Sequence, residues 1–213
     1  MPEDAPRGLA VIIHGGFWLR FDKSSWSDLA QGALAHSWAV AIPSYPLAPE
    51  ATIPQITRAI ARAVQTAANR IKGPIRLAGH SAGGHLVTRM ICADRLLSSN
   101  VAERTEHVLS ISGLHDLRPL QLHSMNEQLK LVPEDTVAES AALQKPIPGP
   151  RITAWVGGLE RPEFLRQSSL LAEVWSKYET KIRLVVEPDR HHFDVIDGLK
   201  SAEDPLTLDF VGK

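Results

Sequence analysis

Apolar residues along the chain fall into short dense runs alternating with longer stretches of helical spacing. Leu9 to Ile13 (LAVII) is uniformly apolar and ends at His14-Gly15-Gly16, which predicts a buried strand followed by a turn. Ser24 or Ser25 is placed to cap a helix through Trp26, Leu29, Ala30, Ala33 and Leu34. Trp38 to Ile42 predicts a second strand stopped by Pro43, and both prolines of the following YPLAPE argue for an irregular connection. Positions 53, 56, 60, 64, 67 and 71 form an apolar helical stripe. Gly73-Pro74 punctuates it, and Ile75 to Ala78 predicts the third strand.

A helix over Gly84 to Leu97 and a strand at Val108 to Ile111 are expected next. Between Ser112 and Pro150 the pattern loosens into proline-rich chain, with short helical pieces at Met125 to Leu131 and Val137 to Ala142. This stretch reads as an excursion over one end of a sheet, partly covering a site. Ile152 to Val156 and Ile182 to Val186 predict the last strands, separated by a helix from about Pro162 to Tyr178, with a short helix near Asp194 to Leu199. Strands alternating with helices predict an α/β domain over residues 1–213, its mostly parallel sheet covered by helices on both faces.

Composition narrows the class of function. The 213 residues carry 23 basic and 24 acidic side chains, a formal net charge of -1, which gives no electrostatic reason to bind nucleic acid or an anionic membrane. No apolar run is long enough to span a bilayer, and Met1 to Gly8 does not read as a signal sequence, so a cytoplasmic protein is expected. The single cysteine, Cys92, reads as a small buried residue. Neither His80/His85 nor His191/His192 has the spacing of a zinc site, and no glycine pattern for a nucleotide follows any strand. No metal and no cofactor are expected.

The chemistry-bearing motif is LAGHSAGGHL at 77–86, where Gly79-His80-Ser81-Ala82-Gly83 stands between an expected strand and an expected helix. In that context G-x-S-x-G makes a sharp turn that exposes a nucleophilic serine, here Ser81. A serine hydroxyl needs a base, and the base an orienting acid. The last strand leads into EPDRHHFDVI, which offers His191 and His192 equally. The loop after the penultimate strand offers Glu160 and Glu163. Glu160 is preferred, since Glu163 falls in a first helical turn, where negative charge is favourable anyway. Asp116 reads as a turn cap, and Asp189 and Asp194 as supporting groups at most. Backbone N–H groups of Ala82 and of the Gly15–Gly16 turn are the candidates for holding an oxyanion. Phe17, Trp18 and Phe21 cluster beside that turn, with Trp18, and Phe17 as an equal choice between core and pocket, placed to line an aromatic substrate pocket.

H-G-G-F-W at 14–18, Y-P-L-A-P-E at 45–50, G-H-S-A-G-G-H-L at 79–86, S-G-L-H-D-L-R-P at 112–119, L-E-R-P-E-F at 159–164 and H-H-F-D-V-I at 191–196 together resemble the α/β-hydrolase superfamily. Within it they are similar to the kynurenine formamidase (arylformamidase) and esterase branch. The resemblance runs nearly end to end. It implies the α/β-hydrolase fold, with Ser81 as nucleophile, the histidine before Phe193 (His192) as base, and position 160 as acid, where Glu160 stands in place of the usual aspartate. It also implies Gly15, Gly16 and Ala82 as oxyanion donors and Trp18 at the pocket's aromatic edge. The implied activity is hydrolysis of a small aryl formamide such as N-formyl-L-kynurenine, with a carboxylesterase for small acyl esters and an inactive binding or scaffold protein as the alternatives. Relatives carry further strands ahead of the H-G-G strand, which here begins near Leu9. This leaves two readings, a coding start set too late or a reduced form with an unusual edge strand, and an uncovered edge would suit a homodimer formed through it.

Overall fold

Six strands form one sheet in the order β2-β1-β3-β4-β5-β6, with every neighbouring pair parallel. They are β1 (Leu9–Ile13), β2 (Ala39–Ala41), β3 (Ile75–His80), β4 (Thr105–Ile111), β5 (Arg151–Gly157) and β6 (Lys181–Glu187). The structure is a computed structural model and describes residues 1–2 and 5–212. As expected, it is an α/β arrangement of the hydrolase kind; the sheet is wholly parallel where the sequence predicted mostly parallel.

Alternation along the strands sorts the core into two layers. Leu9, Val11 and Ile13 of β1 face one side with Ile75 and Leu77 of β3. That side is covered by α2 (Ile53–Arg70), α3 (Ala82–Arg89) and α8 (Pro162–Trp175). Ala10 and Ile12 face the other side, where Leu29, Ala33, Leu199, Leu206 and Phe210 pack on them. This second layer is built by a 3-10 segment at Lys23–Ala30, α1 (Gln31–Ala35), a 3-10 turn at Asp197–Lys200 and α9 (Pro205–Val211). Burial on both faces is why LAVII reads as continuous apolar sequence rather than as an alternating one.

The apolar stripe of α2 lies on the sheet through Ile53, Ile56, Ile60 and Val64. Its first turn is closed by Gln55, whose Oε1 accepts from the Thr52 N–H at 2.8 Å. At the other end the Arg104 guanidinium donates to the carbonyls of Ala68, Ile71 and Gly73, groups a helix terminus leaves unpaired.

Several boundaries differ from the sequence reading. The helix expected over 84–97 runs from Ala82 to Arg89. It stops there because residues 91–93 pair instead with 145–147: Ala93 donates to the Lys145 carbonyl and Ile147 to that of Ile91. The 3-10 segment at 23–30 is capped by Asp22, which accepts from the Ser24 N–H, rather than by Ser24 or Ser25. Three helices were not anticipated, α4 (Ser99–Arg104), α5 (Arg118–Gln121) and α9, the last capped by Asp204. The stretch after β4 holds α5 (Arg118–Gln121), α6 (Asn126–Leu129) and α7 (Pro133–Ala138). A buried cluster pins it: Thr57 of α2 and Arg89 of α3 both donate to the Glu139 carboxylate, at 2.7 and 3.2 Å.

The chain leaves β1 outward to β2 and then returns to place β3 on β1's other side. Such a switch opens a crevice at the C-terminal ends of the two diverging strands. His14-Gly15-Gly16 follows β1 there, and Ser81 follows β3.

Candidate active site

Ser81 stands alone between β3 and α3 with φ 55 and ψ -115, a conformation costly to any residue with a side chain. Its N–H donates to the Ile111 carbonyl at 2.8 Å, which fixes the turn to β4. The tightness demands the flanking glycines. A Cβ on Gly79 would come within 2.1 Å of the Gly83 carbonyl oxygen, and one on Gly83 within 2.0 Å of that of Ile13. Among the described residues the Ser81 hydroxyl has no hydrogen-bond partner, although the residue is only 2% exposed.

The loops after β5 and β6 bring Glu160 and His192 together. His192 Nδ1 lies 2.6 Å from Glu160 Oε2, and the Glu160 side chain is fully buried. An ionised carboxylate can only accept, so Nδ1 carries a proton toward it, and in the neutral imidazole that leaves the free lone pair on Nε2. Glu160 Oε1 accepts from the Gly157 N–H at 2.9 Å and from the Ser112 hydroxyl. Burial works against ionising this carboxyl. The hydrogen bonds from His192, Ser112 and Gly157 outweigh it and hold the group below the usual glutamate range. The two loops are also joined directly, since Leu159 donates to the Arg190 carbonyl at 3.0 Å.

Aromatic groups enclose the imidazole. The Phe164 ring stacks on His192 at 4.0 Å between centroids, and His80 lies 4.6 Å away on a tilted ring. Nε2 of His80 donates to the His192 carbonyl at 2.8 Å. Burial, then the neighbouring His192, pushes the His80 imidazole down to about 3, so it is neutral. Phe193 stands edge-on to His192 at 5.4 Å and is 74% exposed.

Gly15 packs on the serine turn so closely that a Cβ there would lie 3.2 Å from Ser81 Cβ. Gly15, Gly16 and Ala82 are buried residues, and among the described residues none of their N–H groups donates to a protein acceptor. Donors without acceptors in buried residues are rare and expensive, which sets these three N–H groups near the serine turn apart. Ala82 also opens α3, whose N-terminal end adds a partial positive charge.

His191 and His192, indistinguishable from the residues alone, separate here. His191 is turned outward, pairing with Asp194 at 3.2 Å, while His192 meets Glu160. Glu163 lies in the first turn of α8 and pairs with Arg166; Asp116 pairs with Arg118. Phe17 is 40% exposed beside the glycine turn. Trp18 departs from the expected pocket edge: it is 1% exposed and packs edge-on against His85 within the core, because the left-handed backbone at Phe17 and Trp18 turns the indole inward. Ser112 was not anticipated. Its signals were its place directly after β4, as Ser81 is after β3, and its position at the head of the S-G-L-H-D-L-R-P motif. Among the described residues no group of His, Cys, Asp and Glu is arranged to hold a metal ion, and no helix is long and apolar enough to cross a membrane.

Comparison with known proteins agrees with this architecture. A family model described as alpha/beta hydrolase fold matches residues 10–146, more than half of the chain. Kynurenine formamidase of Danio rerio is 26% identical over 96% of this chain and 73% of its own length. That of Drosophila melanogaster is 24% identical over 89% and 67%. Among solved structures, a protein of Silicibacter sp. TM1040 named as a candidate thioesterase is 47% identical, with a TM-score of 0.94 over 99% of this chain and 78% of that one. An esterase of Pyrobaculum calidifontis shares the fold at a TM-score of 0.79 and 17% identity, covering 98% of this chain and 77% of that one.

Proposed function

The chain belongs to the alpha/beta hydrolase fold family, and from that membership we propose that it is a serine hydrolase cleaving a small aryl formamide such as N-formyl-L-kynurenine. The observation that carries this reading is that two independent features lie beside the Ser81 turn, whose His80 sits 4.6 Å from the His192 ring and donates to the His192 carbonyl. One is the acceptor-free N–H groups of the buried residues Gly15, Gly16 and Ala82; the other is an imidazole whose tautomer Glu160 sets at 2.6 Å.

In this reading His192 Nε2 takes the Ser81 proton as Oγ attacks the carbonyl carbon. The carbonyl oxygen becomes an anion held by the three N–H groups. His192 then gives its proton to the departing nitrogen as the C–N bond breaks, leaving Ser81 acylated. Water, deprotonated by His192 Nε2, attacks the ester carbon, and His192 returns that proton to Ser81 Oγ as the acyl C–O bond breaks, releasing the acid and the free serine.

The surroundings favour a small acyl group and an aromatic leaving group. Ser81 is 2% exposed with Gly15 packed on it, which leaves little room on the acyl side. The leaving group must sit at His192, and there Phe164 and the exposed Phe193 supply aromatic surface. Kinship with two kynurenine formamidases supports the formamide.

A second reading, hydrolysis of a short acyl ester or thioester, is favoured by the 47% identical Silicibacter protein. The chemistry at Ser81 is the same and only the leaving atom differs. Formate release from N-formyl-L-kynurenine, set against turnover of phenyl acetate and a short acyl thioester, decides between them. A kcat/KM for the formamide above those for both esters, lost in Ser81→Ala, supports the first reading. Ester or thioester turnover without formate release replaces it with the second.

A further inference from the structure

The motif Y-P-L-A-P-E at 45–50 takes no part in the chemistry just described, yet it lies against the turn that follows β1. Tyr45 is 6% exposed, and its ring stacks on that of His14 at 4.2 Å and 10° between planes. Its hydroxyl donates to the His14 carbonyl at 3.0 Å and lies 3.4 Å from that of Gly15. The Gly15 carbonyl takes its nearer donor from His14 Nδ1, at 2.7 Å. Three residues on, the Ala48 N–H donates to the Trp18 carbonyl at 2.8 Å, so the segment holds both ends of the turn.

In a trans peptide the carbonyl and the following N–H point in opposite directions. Fixing the His14 and Gly15 carbonyls toward the Tyr45–His14 stack therefore turns the Gly15 and Gly16 N–H groups away from it. Those are two of the three donors that find no acceptor. The turn would not hold this shape unaided, because Gly16, Phe17 and Trp18 follow one another at φ 112, 59 and 60. Successive residues with positive φ store strain that neighbouring contacts must maintain.

We propose that Tyr45 is a positioning residue whose hydroxyl, with His14, holds the Gly15 and Gly16 N–H groups aimed at the oxyanion. The inference rests on the serine-hydrolase reading. Tyr45 touches no reacting atom; it acts through the two peptides it anchors. Its contribution is confined to the moment negative charge develops, so it affects the tetrahedral state and leaves ground-state binding alone.

The test compares Tyr45→Phe with wild type in p-nitrophenyl acetate hydrolysis and in inhibition by phenylboronic acid, which forms a tetrahedral adduct on a serine. Loss of one oxyanion donor typically costs a hundred- to a thousandfold in kcat, so loosening two donors is expected to cost about ten- to a hundredfold. The expected result is that fall in kcat, a KM within about twofold, an unchanged pH profile and a boronate Ki raised by the same factor as kcat falls. A merely structural role would move KM or the folded fraction and leave the ratio of Ki to KM unchanged. Wild-type kcat and Ki in the variant, or a lower kcat with wild-type Ki, overturns the proposal. Should Tyr45→Phe not fold, His14→Phe keeps the stack and removes the other donor, with the same signature expected and an unchanged Ki again contradicting it. Wild-type protein that neither turns over the ester nor is labelled at Ser81 by a fluorophosphonate overturns the hydrolase reading and this inference together. Labelling in wild type with an unaltered variant overturns this inference alone.

Discussion

Glu160 and His192 meet at 2.6 Å through Oε2 and Nδ1, while the carboxylate's other oxygen is held by Ser112 and the Gly157 N–H. The carboxylate is thus fixed at both oxygens while it holds the imidazole. Glu160→Gln keeps the shape but offers a carboxamide, which can present the imidazole in the wrong tautomer. Activity is expected to fall about three to four orders of magnitude in kcat with little change in KM. Steady-state ester kinetics measure it, and a loss below tenfold would remove Glu160 from the role.

Ser112 offers a finer probe of the same pair. Removing its hydroxyl in Ser112→Ala deletes one hydrogen bond that favours the ionised carboxylate, so the Glu160 pKa rises. Activity in this account needs Glu160 ionised as well as a free lone pair on His192 Nε2, so the lower-pH part of the acid limb reports the Glu160 carboxyl. That part of the kcat/KM profile is therefore expected to move to higher pH in the variant. At neutral pH, where Glu160 stays ionised, kcat falls only about tenfold, in keeping with one charge-assisted hydrogen bond worth roughly 1.5–3 kcal/mol. A limb that stays in place contradicts this.

How far the site could be read from sequence depended on how local each signal was. The strand, serine turn and helix at 75–89 follow one another directly, and glycines at 79 and 83 are demanded by backbone contacts under 2.2 Å. The choice between His191 and His192 was not local, because it turns on which side chain reaches a loop 32 residues away. α4, α5 and α9 escaped notice because four to seven residues are too few to show a helical period. Residues 90–97 misled in the opposite sense: they are apolar enough to extend α3, but their backbone pairs with 145–147. Trp18 shows the same limit, since an aromatic beside a glycine turn reads as a pocket wall until packing places it in the core.

Buried histidines predict how stability responds to acid. Burial pushes His80, His85 and His115 down to about 3 and His107 to about 4, so they stay neutral in the fold. In the unfolded chain they bind protons below about 6.5, and a state that binds more protons gains as pH falls. Stability is therefore full above about pH 6.5 and is lost progressively toward pH 4. Glu160, depressed below its unfolded value, adds a loss of the same sign at lower pH. Urea midpoints between pH 8 and 4 would show a plateau followed by a steep fall, whereas a flat profile down to pH 4.5 would refute it.

The Thr57–Glu139–Arg89 cluster ties the irregular stretch after β4 to α2 and α3. Arg89 is 2% exposed, so Glu139→Ala leaves a buried guanidinium with only the half-exposed Asp94 as partner. Breaking a buried pair from one side typically costs about 3–5 kcal/mol. A fall in denaturant-determined stability of about that size is expected, with the pH profile of any remaining activity unchanged. A loss under 1 kcal/mol would mean the cluster does not hold this stretch.

Every role proposed at the site depends on Ser81 being a nucleophile activated by His192. The most direct measurement of this is the rate and site of reaction with a fluorophosphonate, followed by intact-protein and peptide mass spectrometry in wild type, Ser81→Ala and His192→Ala. The account predicts stoichiometric labelling on the peptide containing Ser81 in wild type, none in Ser81→Ala, and labelling at least about a hundredfold slower in His192→Ala, as expected for loss of a general base. Folded wild-type protein left unlabelled, or labelled equally fast without His192, would contradict it.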